Sequence, residues 1–228
     1  MRHTTLPGPP PGVRLERAHW AAGRVVAGVD EVGRGAWAGP VSVGVVALDP
    51  SRRVHGLRDS KMLTPAQRER AAQRLHTAAL ALAVGHATST EIDEVGLSEA
   101  LRRATRRAVE ALGVRPDVLL VDGNWDFATG LAPTTTTLVR GDRRSSSIAA
   151  ASIVAKVTRD RMLVDADPQH PAYAFASNKG YGSPAHRRAL AVHGPCGLHR
   201  ASWAPISGLV AESRALPSSG GPRSTSAR

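Results

Sequence analysis

A mixed α/β domain is the fold class this sequence predicts, on three observations. Short β-branched runs recur at residues 25–29, 41–48, 79–88, 118–121 and 134–140. Stretches of helical spacing or helix-start signals lie among them at 65–78, 91–113, 148–163 and 184–192. Several of the strand runs end on a carboxylate, so the sheet they form should carry charge along one edge.

The first strand is the one the rest is organised around. Val25-Val26-Ala27-Gly28-Val29 leads into adjacent Asp30 and Glu31, then into Gly33-Arg34-Gly35. Two like charges leaving a buried strand repel each other and lose solvation, which a divalent cation relieves. Neighbouring strand side chains point to opposite faces, so the pair is expected to serve one site through a bend at this point, with Gly33 and Gly35 supplying the freedom. Taken alone, an Asp-Glu pair is more often a solvated acidic turn, and later segments must decide. The run at 41–48 follows as a hairpin partner. That excludes a phosphate-cradling glycine loop, which would feed a helix and carry Gly-Lys-Ser/Thr.

Asp59-Ser60-Lys61 is polar and turn-like, with Lys61 either solvated or a phosphate contact. Thr64-Pro65-Ala66-Gln67 is a capping box with proline at the first helical position. In the helix over 91–113, Leu97, Leu101, Ala108 and Leu112 share one side, while Arg102, Arg103, Arg106 and Arg107 lie largely on the other. Glu91 and Asp93 read as helix-start residues favoured by the dipole. Residues 118–121 form an uninterrupted apolar strand that ends in Asp122-Gly123, and the run at 134–140 closes on Gly141-Asp142. An alanine-rich helix follows Ser145-Ser146-Ser147, with Lys156 and Asp160 spaced as an intrahelical pair. Tyr181, between Gly180 and Gly182, has few packing partners in sequence, so a ligand-facing ring competes with a core role.

Lys and Arg outnumber Asp and Glu by 30 to 19, for a net charge of +11 over 228 residues. Such an excess points to a polyanion, nucleic acid or an anionic membrane surface, although an Arg- and Ala-rich composition produces basic chains without it. No run of about 18 apolar residues and no secretory apolar core is present, so a cytoplasmic protein with no membrane association is expected. Cys196 is the lone cysteine, which leaves neither an internal disulfide nor a Cys-rich zinc site. The expected organisation is a disordered lead-in over 1–20, one catalytic domain over 21–209 and a disordered basic tail over 210–228.

The segments Gly28-Val29-Asp30-Glu31-Val32-Gly33-Arg34-Gly35 with Ala38-Gly39-Pro40-Val41, Asp59-Ser60-Lys61-Met62-Leu63-Thr64, Val121-Asp122-Gly123 and Gly141-Asp142 through Asp160 resemble ribonuclease HII, in that order. So do Lys179-Gly180-Tyr181-Gly182 and His199-Arg200-Ala201-Ser202-Trp203. The resemblance covers residues 24–206. Departures are Val32 where alanine is commoner, Ala36-Trp37 after the Gly-Arg-Gly, Arg140 for a usual lysine and Trp203 for phenylalanine; none removes an acid. A related type III enzyme carries a further N-terminal domain, which favours type II.

The resemblance implies a ribonuclease H-like sheet, an antiparallel meander extended by parallel strands and flanked by helices, with a C-terminal helical segment. It implies cleavage of the RNA strand in RNA/DNA hybrids, including single ribonucleotides in duplex DNA, leaving 5′-phosphate and 3′-hydroxyl ends. Asp30, Glu31, Asp122 and Asp142 would be the catalytic and metal-binding acids, for Mg2+ or Mn2+. Gly33, Arg34 and Gly35 would read the ribose, Tyr181 the neighbouring sugar, and Lys61 would contact phosphate. A monomer is expected. A DNA-acting nuclease of the same superfamily and a non-catalytic RNA/DNA-binding protein stay open as alternatives, the first disfavoured by Gly-Arg-Gly and Tyr181, the second by retention of all four acids.

Overall fold

Strand β1 (Val26–Val32) lies at the centre of a five-stranded sheet of order β3-β2-β1-β4-β5 in the computed structural model, which describes residues 9–208. It pairs antiparallel with β2 (Val41–Leu48), which pairs antiparallel with β3 (Ala79–Ala87). On its other side β1 runs parallel to β4 (Val118–Asp122), and β4 parallel to β5 (Thr134–Leu138). This is the meander extended by parallel strands that the resemblance implied.

Helices cover both faces, which is why β2 reads as a near-continuous apolar run and is buried throughout. Alternation along the strands sends Val29, Val43 and Val45 toward α3 (Ser89–Glu110), where they meet Ala100, Leu101, Ala104 and Ala108. The opposite face packs on α4 (Ser146–Ala166) and α2 (Pro65–Ala78), with Val46 among Ala149, Ala150, Ile153 and Leu75. Small residues set the spacing to α4. A Cβ on Gly28 would stand 2.1 Å from the Ser147 carbonyl carbon, and one on Gly44 2.3 Å from the Ala151 oxygen. Either substitution would push α4 off the strands that carry the acids.

Local signals placed most helix starts. The Thr64 hydroxyl accepts the Gln67 N–H and the Gln67 side chain accepts the Thr64 N–H, so α2 begins at its capping box. A second box, Thr88 with Glu91, opens α3. Gly96, at φ 76° and ψ 159°, interrupts the single helical stretch expected there. The short α5 (Phe175–Asn178) and then α6 (Pro184–His193), capped by Ser183, complete the C-terminal helical segment.

The lead-in departs from expectation. Residues 1–8 and 209–228, which include the expected basic tail, lie outside the described residues. Residues 14–20, however, are not disordered: Arg14–Trp20 form α1. Its Leu15 and Trp20 pack on Val26, Val118, Leu120 and Ile148, and its Glu16 is fully buried. A helix this short shows no usable periodicity, and its stability comes from those tertiary contacts. Among the described residues no helix is long and apolar enough to cross a membrane.

Candidate active site

Asp30 and Glu31 stay in regular register, opposite Gly44 and Val43, and the ladder continues to Val32 with Ser42. The expected bend between the two acids is therefore absent. The chain turns only at Gly33, where φ is 84°. Both acids reach one site because β1 outruns its parallel neighbour, whose pairing with it stops at Val29 with Val121. Asp122 ends β4 beside them. Asp142 enters on a 3-10 turn, Gly141–Arg143, whose first N–H donates to Asp122 Oδ1 at 2.6 Å. The four acids border one cleft of about 350 Å³, together with Ser60, Lys61, Ser152, Lys156 and Tyr181.

Burial holds the Asp30 carboxyl well above the usual carboxylate range, and the charges of Glu31, Asp122 and Asp142 push it the same way. The Ser152 hydroxyl beside it offsets part of this. Burial also raises Glu31, opposed by the Arg34 guanidinium 3.4 Å away. Asp142 is pushed up to about 6, first by burial and then by the charges of Asp59 and Asp122. Among the described residues no group of three His, Cys, Asp or Glu side chains is drawn together as a metal shell, and the four acids border the cleft. Their chemistry nonetheless fits a hard divalent cation: the acid donors are all oxygen, crowded and mutually repelled, and no thiol or imidazole lines the cleft.

The loop 33–40, which carries Gly33-Arg34-Gly35, leaves the cleft directly after Val32, a lining residue. Two buried guanidiniums hold it. Arg200 donates to the carbonyls of Gly33 at 2.6 Å, Arg34 at 2.9 Å and Gly39 at 3.1 Å. Arg159 donates to Pro40, Ala38 and Lys179. Gly33 is required twice, by its positive φ and because a Cβ there would sit 2.2 Å from Arg159 Nε. Gly35 has open space around it, so nothing in the protein itself demands a glycine at that position. Tyr181 is half-buried at the rim, with the Lys156 ammonium 5.5 Å and the Arg159 guanidinium 5.4 Å from its ring centroid. Lys61 is exposed at the same rim.

All nine residues singled out in the sequence thus lie on the cleft or on the loop beside it. Asp59, Ser152, Arg159 and Arg200 lie within the motifs with no role expected of them, and Lys156 only with a pairing to Asp160. Asp59 is buried, accepts the Lys61 N–H at 2.9 Å and lies 3.5 Å from Arg143. Its signal was an acid opening a polar turn. Lys156 pairs with Asp160 at 2.7 Å as its spacing foretold, yet it also faces the cleft.

A sequence model of the family described as Ribonuclease HII matches residues 27–206. The chain is 45% identical to the ribonuclease HII of Streptomyces avermitilis over 90% of its own length and 88% of that protein. It is 48% identical to that of Burkholderia thailandensis over 82% and 86%. Its fold is similar to the ribonuclease H2 of Pyrococcus horikoshii, with a TM-score of 0.71 and 28% identity across 84% of this chain and 99% of that one. A match that spans every motif above, in order and on the same fold, means that this chain belongs to the ribonuclease HII family, the metal-dependent type II ribonucleases H that cut within RNA/DNA hybrids.

Proposed function

We propose that this enzyme also nicks DNA duplexes at single embedded ribonucleotides, leaving 5′-phosphate and 3′-hydroxyl ends, with Asp30, Glu31, Asp122 and Asp142 holding two Mg2+ or Mn2+ ions. Such a pair of ions, when bound, activates the attacking water and stabilises the leaving oxygen. The observation that carries the reading is the meeting of four acids, Lys61 and Tyr181 at a single cleft, with the Gly-Arg-Gly loop following directly on its lining residue Val32.

Each residue then has a task. The Gly33-Arg34-Gly35 backbone hydrogen-bonds the 2′-hydroxyl, the group that separates RNA from DNA at a given position. The open space at Gly35 supports this, because a sugar can approach the main chain where no side chain intervenes. Tyr181 packs on the next sugar and so reads the junction. Lys61 and Lys156, at the rim, hold backbone phosphates as point charges. A further depression of about 580 Å³ opens across Lys156 and Tyr181 and leaves room for the strand beyond the cut.

The test is a DNA duplex carrying one ribonucleotide, run beside an RNA/DNA hybrid, all-DNA and all-RNA duplexes, with and without Mg2+. Cleavage of the first two alone, and only with the metal, is expected. Cleavage of the all-DNA duplex would favour the DNA nuclease reading, and binding without cleavage the non-catalytic one.

A further inference from the structure

We infer that Glu16 is a positioning residue for the catalytic acids, bracing from outside the family-matched segment the backbone that carries Asp142 and supports Asp122. The inference rests on the reading of those two aspartates as catalytic.

Glu16 is fully buried, and its Oε1 accepts three hydrogen bonds, from Ser145 Oγ at 2.6 Å, Ser147 N–H at 3.0 Å and Ser147 Oγ at 2.9 Å, while its Oε2 is buried without a protein partner. The serine between them is tied to the same segment. Ser146 N–H donates to the Gly12 carbonyl and Ser146 Oγ to that of Pro11, each at 3.0 Å. All three serines that open α4 are therefore held by residues 11–16, which precede the family match at 27–206. Burying a carboxyl group is unfavourable unless its oxygens are bonded. A side chain there only to fill space would be apolar, like its neighbour Leu15.

From α4 the connection runs on to the acids through consecutive hydrogen bonds. Ser145 N–H donates to the Gly141 carbonyl at 2.8 Å, and Gly141 N–H donates to Asp122 Oδ1 at 2.6 Å. Asp142 follows Gly141 directly. Arg140, just before it, has φ 56° and ψ 42°, a left-handed conformation that a non-glycine residue adopts reluctantly. The Gly141–Arg143 turn is thus held in a shape its own sequence does not favour. An external brace is what such a turn requires, and the Glu16 network supplies it at the N-terminus of α4, where unpaired N–H groups and the helix dipole favour a carboxyl oxygen.

The experiment compares Glu16→Ala, Glu16→Gln and Leu15→Ala. Glutamine keeps an oxygen where three donors need one, whereas Leu15→Ala weakens the same helix without touching the serines. With folding checked by thermal melting, Glu16→Ala should lose kcat on an RNA/DNA hybrid by about tenfold or more, the scale seen for partners that orient metal-binding side chains, with KM for the hybrid unchanged. It should also need more Mg2+ for half-maximal rate. Glu16→Gln should stay close to the parent, and Leu15→Ala should keep its kcat. In the metal-free protein, amide hydrogen exchange at residues 145–148 should rise in Glu16→Ala and not in Glu16→Gln.

A folded Glu16→Ala with the parent kcat would overturn the inference, as would an equal loss in Leu15→Ala. Should Glu16→Ala fail to fold, Ser145→Ala cuts the link from the other side and is judged by the same kcat criterion. Asp142→Asn is run in parallel. If it remains active, the reading of the acids is wrong; if it is dead while folded Glu16→Ala is normal, only the brace is wrong.

Discussion

Asp30 and Glu31 are aligned by backbone pairing of β1 with β2, Asp122 ends β4 and Asp142 sits on a 3-10 turn, while the loop 33–40 after β1 carries only an isolated bridge at Ala38. There the unpaired carbonyls are gathered by Arg159 and Arg200, both fully buried, whose hydrogen bonds are to main-chain oxygens. Burial and the Arg159 charge press Arg200 down to about 10, just as burial and mutual repulsion raise Asp30 and Asp142, but the guanidiniums have carbonyl acceptors where the acids have chiefly one another. The buried cations meet main-chain acceptors on each of their nitrogens, and the anions lie among like charges. A buried charge is tolerable when every donor finds an acceptor, and it is held at a cost when it awaits a partner. The first arrangement serves the fold and the second serves the reaction.

The sharpest way to break this contrast is to remove one acid and one buried cation. Asp122→Asn takes away an acid charge and almost no volume. Single-turnover cleavage should fall by about 10²–10³-fold or more, the range for losing a preorganised electrostatic group, while the melting temperature holds or rises. Near-normal cleavage would remove Asp122 from the site.

Arg200→Ala should do the reverse. It removes the guanidinium donors from the carbonyls of Gly33, Arg34 and Gly39, of which Gly33 keeps the Ala36 N–H, for a loss of about 3 kcal/mol of stability, read by denaturant unfolding. Arg200→Lys should rescue little, because an ammonium cannot reproduce the planar fork that reaches three oxygens.

Tyr181→Ala tests the rim of the acid cleft. A lost stacking contact of about 1–3 kcal/mol corresponds to a roughly ten- to hundredfold fall in kcat/KM. The loss should be larger on a lone ribonucleotide in DNA, where a deoxyribose follows the ribose, than on a continuous RNA strand. Equal losses would make Tyr181 structural.

The smallest effect concerns the strain stored among the acids without metal. Asp142 stands at about 6 in the folded protein, above its unfolded value of about 4, so its ionisation opposes folding. That opposition is absent below about pH 4 and complete above about pH 6, so metal-free stability should decline as pH rises through this window. Asp142→Asn should then melt a few degrees higher than the parent at pH 7 in EDTA, for about 1 kcal/mol, and match it near pH 4. Mg2+ should stabilise the parent more at pH 7 than at pH 5. A variant less stable than the parent at pH 7 would mean that the acids are not strained.

Much of the fold was legible because its signals are local. The capping box at Thr64, the Ser183-Pro184 start of α6 and the β-branched runs at 41–48 and 118–121 are decided by residues within a turn or a strand of one another. The break at Gly96 and the helix at Arg14–Trp20 were not legible. A glycine inside an amphipathic stretch is compatible with either outcome, and seven residues after a proline run carry too little periodicity to register.

By itself the sequence placed Asp30, Glu31 and Asp122 at strand ends, since apolar runs closing on a carboxylate need only short-range information, whereas Asp142, expected to close the run at 134–140, lies on a 3-10 turn past Leu138. Only the tertiary structure decided how both members of the Asp30-Glu31 pair reach one cleft without a bend, through the mismatch in length between β1 and β4. It also decided who holds the site together. Glu16 meets Ser145 across 129 residues of chain, and Arg200 meets the Gly33 carbonyl across 167. A charged residue in a sequence reads as solvated until the fold closes around it, because its burial depends on distant donors and acceptors that no local pattern encodes.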